Sequence, residues 1–375
     1  MKHDAAIIGA GIAGLSLAHT LHRQGKRIVV LEKSAIAQGA SVRNFGMVWP
    51  LGHPVGHVRT LAMRSREIWL EVAREAGFWA NPRGSLTLAY EEVEEQVLHE
   101  FMDIAEHNPS VGRLISAEQA QKISPAVKSD GLKLALHSTQ EVCVDPREAV
   151  HVLARHLAAK GIEIRFGTPV SSVGPGAVKL AGGGCVEAEN VIVAAGPDLR
   201  DLLPSVGPQD GLRRCTLQMM RFAPKSRNWP TMGAHLCAGL TLGHYANFAD
   251  CPSIGALRAF HQERWPLQVE HGIHVLVSQH ADGSLTVGDS HDYGESASPY
   301  LSAKVESAIL EALDQFLDWS EFSVAERWFG HYNTSPGRFY SWRQVDHGVW
   351  SLNLFGTGMT LSFGVAELVV SSLAQ

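Results

Sequence analysis

The sequence predicts an α/β fold, α+β overall: a doubly wound nucleotide-binding domain carrying an inserted, mostly antiparallel second domain. Three observations predict it. From Asp4 to Lys33 an apolar run, a glycine-rich turn, a helical stretch and a second apolar run follow one another. Alternating apolar segments recur from about residue 83 to 138 and again from 209 to 325, as half-buried strands do. A second glycine-rich turn, Phe355 to Ser362, joins a strand to a closing helix.

Ala5 to Ile8 is apolar throughout, as suits a strand buried on both faces. Gly9, Gly11 and Gly14 follow at GxGxxG spacing. The first permits a tight turn, the second lets backbone approach a pyrophosphate, and the third lets helix pack on strand. Helical spacing runs through Leu15, Ala18, Leu21 and His22 and stops at Gly25. Ile28 to Leu31 reads as a second buried strand. Glu32 then stands about 20 residues past the glycines, where a carboxylate meets a ribose hydroxyl. That acid argues against a 2′-phosphate on the same ribose, because two anions repel.

The segment Gly39 to Pro50 is glycine-rich yet holds Phe45, Met47, Val48 and Trp49, which predicts a loop folded inward against a ligand. Helical spacing covers Leu61 to Ala76, a strand covers Gly84 to Tyr90, and an acidic helix covers Glu91 to Asn108. Ser116 with Gln119 reads as a capped helix start. A helix from Ala149 to Lys160 and a strand from Ile162 to Phe166 follow. Asn190 to Pro197 is a buried strand ending in the small residues Ala194, Ala195 and Gly196. Leu212 to Arg221, Leu240 to Phe248, Ile273 to Ser278 and Ser284 to Asp289 read as strands, and Ser302 to Trp319 as an amphipathic helix. Residues 1–82, 139–208 and 326–375 are thereby assigned to the nucleotide-binding domain, and 83–138 and 209–325 to the second.

The 375 residues are 45% hydrophobic and 19% charged, as expected of a soluble globular chain, with a net charge of −6 that gives no reason to expect nucleic acid. The five cysteines (143, 185, 215, 237 and 251) form no CxxC pair, so neither a disulfide framework nor a zinc site is suggested, and no metal ligand is singled out. No apolar run is long enough to span a bilayer, and the first strand begins too soon after Met1 for a cleaved signal. A cytoplasmic protein is expected.

The Gly9–Glu32 fingerprint, the Gly46-Met47 turn, the Val191-to-Gly196 strand end and the terminal Gly-Thr-Gly-Met-Thr-Leu-Ser together resemble the D-amino-acid oxidase family of flavoproteins, which includes glycine oxidase, sarcosine oxidase and D-amino-acid dehydrogenase. The resemblance implies a Rossmann-like FAD-binding domain and hydride transfer from a C–H beside an amine, giving an imine that water hydrolyses. Ser41 to Pro50 is similar to a narrower branch associated with breakdown of N-methylated aminoethylphosphonates. Carried over residue by residue, Gly9, Gly11, Ile12, Ala13 and Gly14 would wrap the FAD pyrophosphate. Glu32, with Lys33 beside it, would hold the adenosine ribose. Ser41, Arg43, Asn44, Phe45, Gly46 and Met47 would lie along the flavin, and Val170 would meet adenine. Ala195 and Gly196 would approach the cofactor, and Gly356, Gly358, Met359 and Thr360 would face the isoalloxazine.

The departures from that pattern carry information. His331 and Tyr332 stand where amino-acid oxidising relatives place an arginine on the substrate carboxylate. Gly330 stands where sarcosine oxidase links its flavin through cysteine, so non-covalent FAD is expected. Thr360 replaces a substrate-gripping lysine. With that clamp missing, Arg221, Arg338 and Arg343 are the candidates to bind a substrate anion, since guanidinium suits phosphonate. His331 is the candidate base for the incoming ammonium and Tyr332 a residue closing the pocket. The expected substrate is a small anionic amine, with N-methyl-aminoethylphosphonate giving phosphonoacetaldehyde as one form, and oxygen or another acceptor taking the electrons. Glycine, sarcosine or a D-amino acid is the alternative substrate, and an FAD-binding protein without turnover is the alternative class.

Overall fold

The computed structural model describes residues 2–104, 111–294, 298 and 300–373. Its centre is an eight-stranded sheet. The strand His3–Ile8 lies parallel between Ile28–Leu31 and Cys185–Val193, with Glu163–Arg165 beyond the former and Val349–Asn353 beside the latter. Ala6, Ile7, Val29, Val30, Val191 and Ile192 are wholly buried, which is what covering both faces of a parallel sheet requires. The first helix, Ile12–Arg23, packs between this sheet and the terminal helix Gly358–Leu373, and both touch the long helix His57–Ala76. Trp69, fully buried, anchors that trio: its Nε1 donates to the Met359 carbonyl at 2.7 Å, and its ring meets Phe363 edge-on.

A nine-stranded sheet forms the second layer. Ser85–Ala89, Leu134–Ser138 and Arg113–Ser116 supply one end, and Arg213–Pro224, His235–Ala238, Leu276–Gln279, Leu285–Gly288, Asp292–Gly294 and Phe322–Thr334 the rest. Its pairings are antiparallel except that between His235–Ala238 and Ser85–Ala89. The expected capping box is present, with Ser116 and Gln119 satisfying each other's backbone amides. Of the acidic helix, Glu92–Ile104 is formed, and residues 105–108 lie outside the described set.

Three expectations need correction, and one pair of helices was missed. Leu240 to Phe248 is not a strand but a short helix, Leu240–His244, followed by a 3-10 turn at Ala246–Phe248. Leu242 and Phe248 turn into the core, where Phe248 meets Phe101. The helices Ile254–Arg264 and Pro266–Glu270 went unanticipated. The helix at 302–319 ends at Leu313, because the following chain leaves it to pair with residues 126–128: Lys128 N–H donates to Phe316 O, and Val127 bridges Leu317. Finally, the strand Phe322–Thr334 pairs with Arg213–Pro224 along its whole length, so the chain stays in the second sheet well past residue 326.

Candidate active site

The glycine-rich turn is built by close approach. Gly9 has φ +107, and a Cβ there would lie 2.6 Å from the Ala194 carbonyl; a Cβ on Gly14 would overlap the Gly9 carbonyl. Only glycine lets the turn, the helix and the Val193–Gly196 strand end meet so tightly. The first helix has Gly11 at its N-cap, which offers no side chain of its own to the amides beyond Ile12 and leaves a positive end for an anion. Ser41 Oγ accepts from Ile12 N–H at 2.9 Å. Glu32 is buried, and its two oxygens accept from Ala10 N–H and Ser34 N–H, each at 2.9 Å. Its backbone carbonyl takes Thr168 N–H, bringing Val170's strand alongside. Lys33 pairs with Asp198 at 2.7 Å, closing the turn after Gly196.

The terminal turn meets this cradle directly. A Cβ on Gly358 would lie 3.4 Å from the Ile12 side chain, so the starts of the first and last helices adjoin. Thr360 Oγ1 accepts from Trp49 N–H at 3.0 Å, tying the turn to the 39–50 segment. That segment folds inward as expected: Phe45, Met47, Val48 and Trp49 are all buried. Asn44 locks it, donating to the Ala40 and Ser41 carbonyls and accepting from Gly46 N–H. Arg43 clips it to the second sheet through the Phe329 carbonyl at 3.2 Å. Asn333, which sequence reasoning missed, donates to the Gly196 carbonyl at 2.8 Å and makes a second such clip. These residues suit a dinucleotide: a helix start for pyrophosphate, a carboxylate for ribose and small residues where the two sheets meet.

The structure does not bring His331 and Tyr332 together. They are consecutive on one strand and point to opposite faces. Tyr332 packs against the terminal turn, where a Cβ on Gly356 would lie 2.6 Å from its ring. Burial pushes its phenol well above the ordinary value, so it stays protonated. His331 instead meets Thr216 Oγ1 at 3.1 Å and Phe329, and burial, with Arg214 and Arg43 nearby, lowers its pKa. On the Tyr332 side, Trp49 meets Tyr245 edge-on at 4.6 Å, and the Tyr245 ring lies 5.1 Å from His274. The imidazoles of His244, His274 and His291 follow, with Asp289 behind them. Sequence reasoning missed this wall, because its members lie far apart along the chain.

The three candidate arginines do not stand free for a substrate. Arg221 is buried between Asp145 at 3.3 Å and Asp282 at 3.1 Å. Arg338 and Arg343 both pair with the buried Asp210, at 3.2 and 2.6 Å. The three carboxylates were invisible to a reading that took each arginine alone.

Comparison with known proteins agrees with this geometry. D-amino acid dehydrogenase of Helicobacter pylori is 26% identical over 224 residues, covering 45% of this chain and 53% of that protein. Glycine oxidase of Bacillus licheniformis is 25% identical over 52% of this chain and 54% of that one. The chain thus spans about half the length of these curated relatives. Two solved structures share the fold over 99% of this chain and 94% of theirs, each with TM-score 0.79: L-proline dehydrogenase from P. horikoshii at 19% identity and glycine oxidase from Geobacillus kaustophilus at 17%. No helix among the described residues is long and apolar enough to cross a membrane. The family model described as FAD dependent oxidoreductase matches residues 4–372, and the chain belongs to that family, whose cofactor is FAD.

Proposed function

We propose that this chain oxidises a small amine or amino acid at a carbon next to nitrogen, with FAD held between the first helix and the terminal turn. The observation that carries the reading is the meeting of Glu32, the start of the first helix and the Gly356–Thr360 turn, with Tyr332 packed on Gly356. Bound FAD supplies a two-electron acceptor for such a C–H bond. The chain's part is to position and to exclude water. Trp49, Tyr245 and Tyr332 present an aromatic wall, and a Tyr332 phenol that stays neutral donates a hydrogen bond without adding charge.

The finer reading is a small anionic amine, N-methyl-aminoethylphosphonate among them. Its support is the departure from the carboxylate-gripping arginine at His331-Tyr332, together with the similarity of Ser41 to Pro50. Glycine, sarcosine and D-amino acids are the second reading, favoured by the glycine oxidase and D-amino acid dehydrogenase relatives. An anaerobic panel of sarcosine, glycine, D-alanine, aminoethylphosphonate and its N-methyl form tests both. Fastest flavin bleaching by an aminophosphonate supports the first, and by an amino acid the second. A loaded flavin that no amine bleaches removes both and leaves a binding protein without turnover.

A further inference from the structure

We infer that His244, His274 and His291, with Asp289 beside them, form a site for one divalent transition-metal ion. One ring nitrogen from each histidine falls within 4.8 Å of those of the other two. A tetrahedral ion with bonds of about 2.1 Å sets its ligand nitrogens roughly 3.4 Å apart, a spacing that small ring rotations reach. The ring centroids lie 3.9, 4.7 and 4.8 Å apart, closer than the roughly 5.3 Å of imidazoles on one tetrahedral ion, so the rings swing outward on binding.

Three further observations point to a cation. His274 is buried, and neither of its ring nitrogens has a hydrogen-bond partner. An unpaired buried imidazole is costly unless something occupies its lone pair. His291 is oriented: its Nδ1 lies 3.1 Å from the Gly272 carbonyl and donates to it, which leaves the Nε2 lone pair facing the cluster. Such a backbone partner fixes the tautomer of metal-bound histidines. The carboxylate of Asp289 lies 3.7 Å from His274 Nε2 and 3.8 Å from His291 Nε2, too far for hydrogen bonds, and its Oδ1 has no partner. An unpartnered carboxyl oxygen beside unpartnered imidazole nitrogens makes a donor set for a cation. His244 is exposed and offers a way in. Imidazole with one carboxylate suits zinc and its neighbours rather than calcium or magnesium.

The His291 ring lies 6.4 Å from that of Tyr332. On the amine-oxidising reading above, on which this clause rests, the ion would supply the positive charge for a substrate anion that Arg221, Arg338 and Arg343 do not.

The test is calorimetric titration of Zn²⁺ into the FAD-loaded, chelator-stripped full chain, with metal content measured after dialysis. One zinc per chain is expected. His274→Ala and the surface change His244→Ala should each weaken binding at least roughly tenfold, while the flavin spectrum and melting of His244→Ala stay as in the parent. No uptake, or full affinity in both variants, overturns the site. So does binding of inorganic phosphate to the metal-free chain that the same changes abolish. These readouts need no turnover, so they stand apart from failure of the amine reading. Where an anionic amine is oxidised, metal removal should raise its KM and spare kcat; an unchanged KM denies the ion the anchoring role.

Discussion

Glu32→Gln probes the cofactor cradle at one atom. Glu32 is buried, and its two carboxylate oxygens accept from Ala10 N–H and Ser34 N–H at 2.9 Å. Glutamine keeps the shape but has one oxygen, so its NH2 group must face one of those backbone donors. Losing a charge-assisted hydrogen bond of this kind costs about 1.5–3 kcal/mol. Ala10 lies in the Gly9–Gly14 turn, and the same carboxylate is the group offered to the ribose, so the loss should fall on FAD binding. At about 1.4 kcal/mol per factor of ten, the FAD Kd should rise roughly 10- to 150-fold. The assay is quenching of FAD fluorescence on titration with apoprotein, alongside thermal melting of the apo form. An FAD affinity within about twofold of the parent, with a lowered melting temperature, would show that Glu32 serves only the fold and would refute the reasoning.

Three other outcomes follow from the same geometry. Arg221→Met should lower stability by about 1–3 kcal/mol, leaving Asp145 without its partner, and should leave KM for any oxidised amine unchanged; a raised KM with unaltered denaturant midpoint would return Arg221 to the substrate. Gly356→Ala puts a Cβ 2.6 Å from the Tyr332 ring at φ +80, so the turn must shift; the visible flavin band should move, and an unmoved band would place the turn away from the flavin. His53 and His235 are buried, and burial holds each near a pKa of about 3. A depressed histidine pKa means the unfolded chain binds the extra proton first, so stability is full above about pH 6.5 and is lost as pH falls toward 3. The loss has a ceiling on the order of 5 kcal/mol per site, and urea midpoints that stay flat from pH 7.5 to about 5 would contradict it.

The nucleotide-binding half was legible because its signals are local. Three glycines, two apolar runs and an acid at the right offset each constrain the next few residues, and the inward loop announced itself by burying Phe45, Met47 and Trp49 in a glycine-rich stretch. The second sheet was legible as alternation but not in detail. Leu240 to Phe248 alternates well enough for a strand, yet it forms a helix with Gly239 at its N-cap that turns Leu242 and Phe248 inward, and Gly243 lets His261 approach closely. The site was least legible where it depends on pairing at long range. Asp210 sits more than a hundred residues from Arg338 and Arg343, yet it pairs with both. His244 ends a short helix while His274 and His291 lie in two separate loops, and no spacing joins them before the fold does.

The most direct measurement is the cofactor content of the purified full chain. The account predicts a yellow protein with one FAD per chain, released intact by acid precipitation because Gly330 stands where a relative's linking cysteine would be. A colourless protein that takes up no FAD on reconstitution would contradict it.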